Sequence, residues 1–285
     1  MTSVALMLVV AAALLHASWN GLAKTSGDKL AFLWLAMGMA SVVLLPVAVA
    51  LCIRGGVPAS SVPLLAASAA LHAVYLATLS RACQHGEFSR VYPIARGLSV
   101  ALVGVVAWLA LGEGLSPWGI VAVIAVIAGV AVVAEPWRRN AAAGVGWALV
   151  TGCIIAAYSV VDKAGVQRAQ PLPYFVLMIA TACALLAPAC ALLAPVMWRR
   201  RRHRAAEWRR NRRSLAIAAV GTLGAYLLVL QAMRLSAAAY VAACRELSIV
   251  ASVVIARVVM AEQTRMVRLA GAALITVGVV GLARV

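Results

Sequence analysis

Acidic residues are scarce in this chain. Only 8 of its 285 residues are Asp or Glu, against 25 Lys and Arg, and charged residues together make up 12%. An ordinary soluble domain carries about 25% charged residues, so a water-facing surface of the usual kind cannot be built here. Phenylalanine is nearly absent too, with 3 residues, although 65% of the chain is hydrophobic and the mean hydropathy is +1.00. That excess of small and branched apolar residues could not be hidden in a soluble fold of this length. The alternation of a transmembrane β-barrel is missing, since Gly119–Ala134 is continuously apolar. The six cysteines, Cys52, Cys83, Cys153, Cys183, Cys190 and Cys244, form no CxxC pair, and most lie inside apolar runs. Neither a disulfide framework nor a metal site is indicated. No GxSxG, HExxH, Walker A or clustered carboxylates occur, so the sequence points away from an enzyme, from a resident cofactor and from ATP-driven work.

What is present is a series of long apolar runs. They fall at 4–23, 30–53, 62–82, 88–111 and 116–134, and again at 144–163, 172–197, 214–233, 237–260 and 266–284. One spanning helix takes about 20 residues, so ten of them use roughly 200 and leave no room for a soluble domain. The expected fold is an all-α polytopic membrane protein with ten transmembrane helices. The first run lacks the basic flank of a signal peptide and reads as a retained span.

The net charge of +17 does not indicate nucleic acid, because of where it sits. Nine arginines and one acid, Glu207, lie between Arg199 and Arg213, the pattern by which membrane proteins mark cytoplasmic loops. Counted by side, seventeen basic residues fall on one face and five on the other, with Arg96, Arg245 and Arg257 inside spans. The charge rule then places both termini outside.

The two sets of five runs resemble each other. Val91-Tyr92-Pro93-Ile94-Ala95-Arg96-Gly97-Leu98-Ser99 in the fourth is echoed by Tyr240-Val241-Ala242-Ala243-Cys244-Arg245-Glu246-Leu247-Ser248 in the ninth. A shift of 149 carries Arg96 onto Arg245, Ser99 onto Ser248, Glu113 onto Glu262 and Gly129 onto Gly278. Trp19 and Lys24 in the first run match Tyr158 and Lys163 in the sixth at a shift of 139. Because five is odd, two such halves are inverted relative to each other. Inverted repeats are a hallmark of alternating-access carriers with a site near the midplane. The halves are taken as 1–135 and 144–285.

Here a family resemblance emerges. His16-Ala17-Ser18-Trp19-Asn20-Gly21-Leu22-Ala23-Lys24, Gly112-Glu113 and the glycine-containing fifth and tenth runs resemble the EamA type of the drug/metabolite transporter superfamily. Tyr92-Pro93-Ile94-Ala95-Arg96-Gly97 is similar to a subgroup associated with phosphonate utilisation, although the second half has Ala242 where Pro93 stands. The resemblance implies two five-helix repeats in a bacterial inner (plasma) membrane, and a cavity lined by the first, third, fourth, sixth, eighth and ninth helices. It also favours cytoplasmic termini, against the charge count, so orientation stays open.

Arg96 and Arg245 lie about eight residues, or about 12 Å, into their helices, near the middle of a hydrocarbon core about 30 Å thick. A cation there must face protein or water. Guanidinium forks suit carboxylate, phosphate or phosphonate oxygens, so the pair reads as a clamp for a small anionic or zwitterionic substrate such as an aminophosphonate. The plainer reading has each arginine bracing the bundle against Glu246, Asp162 or free carbonyls. His16, Trp19 and Asn20 share a helix face with Lys24; His16 is either a proton carrier or a packing residue, and Lys24 reads as a snorkelling anchor. His72, Tyr75, Tyr92, Ser99, Tyr158, Tyr226 and Glu246 complete the substrate-binding set, while Tyr240 near a helix start suits an interfacial belt. Pro93 and Gly97 mark a kink in the fourth helix, either a gate or a static bend. Asp162 beside Lys163 reads as a local ion pair, and Glu113 as a cap or gate. Gly129, Gly271, Gly278 and Gly281 allow close helix contact, inside the bundle or at a homodimer surface.

The leading expectation is a secondary transporter of a small organic metabolite, driven by a coupling proton or by exchange. An exporter of amino acids or drug-like metabolites is the alternative within transport. A channel and a membrane-embedded enzyme are the alternatives outside it.

Overall fold

The computed structural model describes residues 2–24, 29–86, 88–135, 144–182, 184–185, 201–258 and 265–284. Among these there is no strand. The helices are α1 (Ser3–Lys24), α2 (Lys29–Ile53), α3 (Val62–His85, entered through a short 3-10 turn, Ala59–Ser61), α4 (Phe88–Leu111), α5 (Pro117–Ala134) and α6 (Val145–Arg168). They continue as α7 (Pro171–Ala182), α8 (Arg201–Leu235), α9 (Ala238–Cys244), α10 (Leu247–Val258) and α11 (Met266–Ala283). Stretches within α3, α4, α5, α6, α8 and α11 are long and apolar enough to cross a membrane, with mean hydropathy from 1.6 to 2.5. Bulky apolar side chains point outward along them, Trp118 at 75% and Val277 at 64% exposure among them. Water would penalise such a surface and lipid tails do not.

The packing repeats when the halves are exchanged. α3 packs on α6, and α8 packs on α1; α4 packs on α6, and α10 packs on α1; α5 meets α11 along its length. The α5–α11 seam is made by glycines. A Cβ on Gly129 would lie 2.8 Å from the Gly271 carbonyl oxygen, and one on Gly278 would lie 2.8 Å from that of Ala122. These glycines are thus used inside the bundle, where they let two backbones approach.

Two local expectations change. The arginine-rich connection is helical from Arg201, with α8 bent at Asn211 (φ −122, ψ 19), because a run of arginines leaves the membrane without leaving the helix. α4 is helical from Phe88 to Leu111 with the buried Pro93 inside it. A break lies in the other half, which has no proline there. Between α9 and α10 the Glu246 N–H donates to the Ala243 carbonyl at 3.0 Å, and the Ser248 N–H to that of Arg245 at 3.1 Å. These i→i−3 bonds tighten the turn into a 3-10 step, a geometry that often marks functional positions.

Candidate functional site

The 3-10 step decides where two neighbouring side chains go. Glu246 turns toward α4, where its Oε1 lies 2.6 Å from Arg96 Nη2 and Arg96 Nε donates to Oε2 at 3.4 Å. Both side chains are buried, at 1% and 8% exposure, so this is a buried ion pair between residues 150 positions apart in sequence. Arg245 turns the other way and lies 5.5 Å from the ring centroid of Tyr226 on α8, a cation–π contact. Among the described residues Arg245 has no carboxylate partner, and it remains half-buried. The two arginines that the sequence shift of 149 aligns are therefore in different electrostatic states. Arg96 is neutralised and Arg245 is not.

Around them stands a set of rings from α1, α3, α4, α6 and α8. His72 stacks on Tyr158 at 4.1 Å and meets Tyr226 edge-on at 5.4 Å. Tyr75 meets Tyr158 edge-on at 5.7 Å. His16 Nε2 and the Tyr92 hydroxyl are 3.2 Å apart. His16, His72, Tyr75, Tyr92, Tyr226 and Arg245 face one another across the bundle and are still half-buried rather than sealed.

Other residues of the expected set serve local packing. Ser99 is buried and its hydroxyl donates back to the Arg96 carbonyl at 2.8 Å. Gly97 faces α5, where a Cβ would lie 3.1 Å from Val130 Cγ1. The side chains of Trp19, Asn20 and Lys24, and the whole of Glu262, lie outside the described residues.

Asp162 and Lys163 do not pair with each other, because adjacent positions on a helix point about 100° apart. Asp162 is fully buried and accepts from Ser68 Oγ on α3, Tyr226 OH on α8 and Tyr174 OH on α7, the last at 3.2 Å. Lys163 donates to the Met233 and Ser236 carbonyls at 2.5 and 2.8 Å and pairs with Glu113 at 3.0 Å. Glu113 also accepts from the Ala238 N–H at 2.8 Å, capping α9. Tyr240 is buried rather than in an interfacial belt, and its hydroxyl accepts from the Ser116 N–H at 3.0 Å.

Ser68, Tyr174 and Glu135 were missed by sequence reasoning. Ser68 and His72 are four apart on one face, and an intramembrane acid is by default a functional position; together those signals could have drawn attention to Asp162. Glu135, buried at the end of α5, pairs with Arg265 and with Arg268 at 3.2 Å.

Comparison with known proteins places this geometry. A solved chain described only as "Crystal structure of protein" superimposes with a TM-score of 0.73 at 17% identity, covering 100% of this chain and 99% of that one. At that identity the likeness shows the fold alone. No curated protein matches. The profile of the EamA-like transporter family matches residues 142–284, half of the sequence, with the 3-10 step, Asp162 and Tyr226 inside the match. The chain therefore belongs to the EamA-like transporter family, membrane proteins of the drug/metabolite transporter superfamily that move small molecules.

Proposed function

We propose that the protein is a secondary transporter working by alternating access, and that its substrate is a small organic anion or zwitterion held by Arg245. The single observation that carries this reading is the unequal state of the two arginines. Arg96 already has a buried carboxylate, so adding an anion there would require breaking a formed pair. Arg245 presents a guanidinium with no counter-ion among the described residues, half-buried, against an aromatic wall of Tyr226, Tyr158 and His72. A charge in that position is costly within hydrocarbon, and an incoming carboxylate or phosphonate removes the cost while forming charge-assisted hydrogen bonds. The rings supply apolar area for the remainder of the molecule.

Two inverted five-helix halves, 1–135 and 144–285, fit the exchange pattern of the packing, in which α3–α6 matches α8–α1 and α4–α6 matches α10–α1. The family match over 142–284 also begins where the second half begins. A bacterial inner membrane is the proposed location, with an aminophosphonate as the first substrate to try.

Counterflow in proteoliposomes tests the reading. Vesicles are preloaded separately with 2-aminoethylphosphonate, a neutral amino acid or an aromatic cation, and entry of the same labelled compound is followed. The expected result is saturable counterflow of the phosphonate that is lost in Arg245→Gln. Unchanged phosphonate counterflow in that variant would sink the anion site. Counterflow of the amino acid or cation alone would reassign the aromatic cluster to an uncharged or cationic substrate and both arginines to bracing.

A further inference from the structure

We propose that Asp162 is a proton-binding site that couples a proton gradient to the site at Arg245 through Tyr226; this inference rests on the transporter reading above. Asp162 is the one acid among the described residues that is fully buried inside an apolar span without a cation against it. Glu246 has Arg96, Glu113 has Lys163, and Glu135 has Arg265 and Arg268. Every partner of Asp162 is a hydroxyl, from Ser68, Tyr174 and Tyr226. An unpaired carboxylate in such a place is driven to neutralise itself by taking up a proton, while three hydroxyl donors are enough to hold the ionised form when it occurs. Both states are therefore accommodated.

Among the groups around it, His72 is the titratable neighbour whose charge bears on the carboxylate. Lys163, next in sequence, is committed to Glu113 and two carbonyls. From α3, His72 has its Nδ1 2.9 Å from the Ser68 carbonyl and 3.3 Å from the Ser68 hydroxyl, so it touches the carboxylate only through Ser68. From α6 itself, Tyr158 stacks on His72. From α7 and α8 come Tyr174 and Tyr226, and beyond the Tyr226 ring lies Arg245.

Tyr226 is the link. Its hydroxyl donates to Asp162 Oδ2 and its ring lies under the guanidinium of Arg245. When Asp162 takes a proton on Oδ2, that oxygen becomes a donor and the Tyr226 hydroxyl must turn to accept. At the same time a negative charge near Arg245 disappears. An ionised Asp162 competes with an anionic substrate for the field of Arg245, and a protonated one does not. Proton and anion thus favour each other's binding, and the coupling is reciprocal. The sign predicts symport.

Two measurements test this. Infrared difference spectra of purified protein in lipid vesicles, without substrate, follow carboxyl bands as pH is varied. A titrating protonated-carboxyl band in the wild type that is missing from Asp162→Asn supports the site; an unchanged set of titrating bands in the variant overturns it. Proteoliposomes then compare counterflow of 2-aminoethylphosphonate at equal pH with its accumulation under an inward proton gradient. Because Asn resembles the protonated acid, the variant is expected to keep counterflow while its accumulation ratio falls to unity. Accumulation that persists in the variant, that follows a sodium gradient instead, or that vanishes together with counterflow in a folded variant overturns the coupling role. If the wild type counterflows none of the three probes, the transporter reading fails for those substrates, and the infrared titration still decides the proton site.

Discussion

Removing either partner of the Arg96–Glu246 bridge is predicted to destabilise the protein by unequal amounts, and removing both is predicted to restore most of the loss. The pair is formed at 2.6 Å with side-chain exposures of 8% and 1%, deep in the bundle. Deleting one member of a buried pair typically costs about 3–5 kcal/mol, because the other is left as an uncompensated charge. The two single losses differ because the survivors differ. After Arg96→Leu, Glu246 can neutralise itself by taking a proton, so the cost falls toward about 3 kcal/mol or below. After Glu246→Leu, the guanidinium of Arg96 has no such escape, and the cost lies toward about 5 kcal/mol. The double variant replaces a salt bridge by apolar side chains, an exchange that is often neutral or stabilising. Its cost should therefore be about 1 kcal/mol, giving a favourable coupling of several kcal/mol in a double-mutant cycle. Reversible unfolding in bicelles by steric trapping reads all four free energies. Costs that add within about 0.5 kcal/mol, or a larger loss for Arg96→Leu than for Glu246→Leu, would refute the reasoning.

The α5–α11 seam gives a second test: Gly129→Ala and Gly278→Ala each force a methyl to within 2.8 Å of a carbonyl oxygen, so each should cost about 1–3 kcal/mol by overpacking in the same unfolding assay. Gly146→Ala, with nothing within 4 Å, should instead stabilise by up to about 1 kcal/mol through helix propensity. Tyr240→Phe leaves the half-buried Ser116 N–H without its acceptor and should cost about 1 kcal/mol, read also as faster hydrogen exchange at the start of α5. At the other end of that helix, Glu135→Ala strands two arginines and should lower stability measurably. Arg265→Ala alone, an arginine at 54% exposure with Arg268 still in place, should change it by no more than about 1 kcal/mol.

Helix positions were largely legible in the sequence, because hydropathy decides where a chain enters lipid. The run read at 88–111 is α4 (Phe88–Leu111), that at 116–134 is α5 (Pro117–Ala134), and that at 266–284 is α11 (Met266–Ala283). Hydropathy marks the membrane boundary rather than the helix end, which is why α6 continues to Arg168 and α8 begins at Arg201. The break at Arg245–Glu246 was not legible. No proline or glycine signals it, and it depends on what Glu246 meets on α4 and what Arg245 meets on α8. Pairings of this kind join residues far apart in sequence, 150 positions for Arg96–Glu246 and 94 for Ser68–Asp162, so no local pattern encodes them. Reading Asp162 and Lys163 as a pair failed for the same reason: adjacency in sequence was taken for adjacency in space.

The polar ties also limit which part of the bundle can move. Arg96–Glu246, Ser68–Asp162, Glu113–Lys163 and Glu135–Arg265 each join a residue before 136 to one after 143. For the three buried ties no water can replace a lost partner, whereas Arg265, at 54% exposure, stays within reach of solvent. Glu113 and Glu135 lie just outside opposite ends of α5, a helix of 18 residues and so about 27 Å long. One end is held by Lys163 and the α9 cap, the other by Arg265 and Arg268. Between them α5 and α11 are in close contact at Gly129, Gly271 and Gly278, which meet backbone atoms and the side chains of Ile275, Val133 and Val126. A rearrangement of the whole seam would have to break both end ties and lift one backbone off the other. The contacts around Tyr226 are of a different kind: ring edges, a cation over a face and hydroxyls that can reverse direction. They can be remade at small cost. The interior thus divides into a tied α5–α11 seam and a re-formable aromatic side around Arg245, which has no carboxylate partner among the described residues.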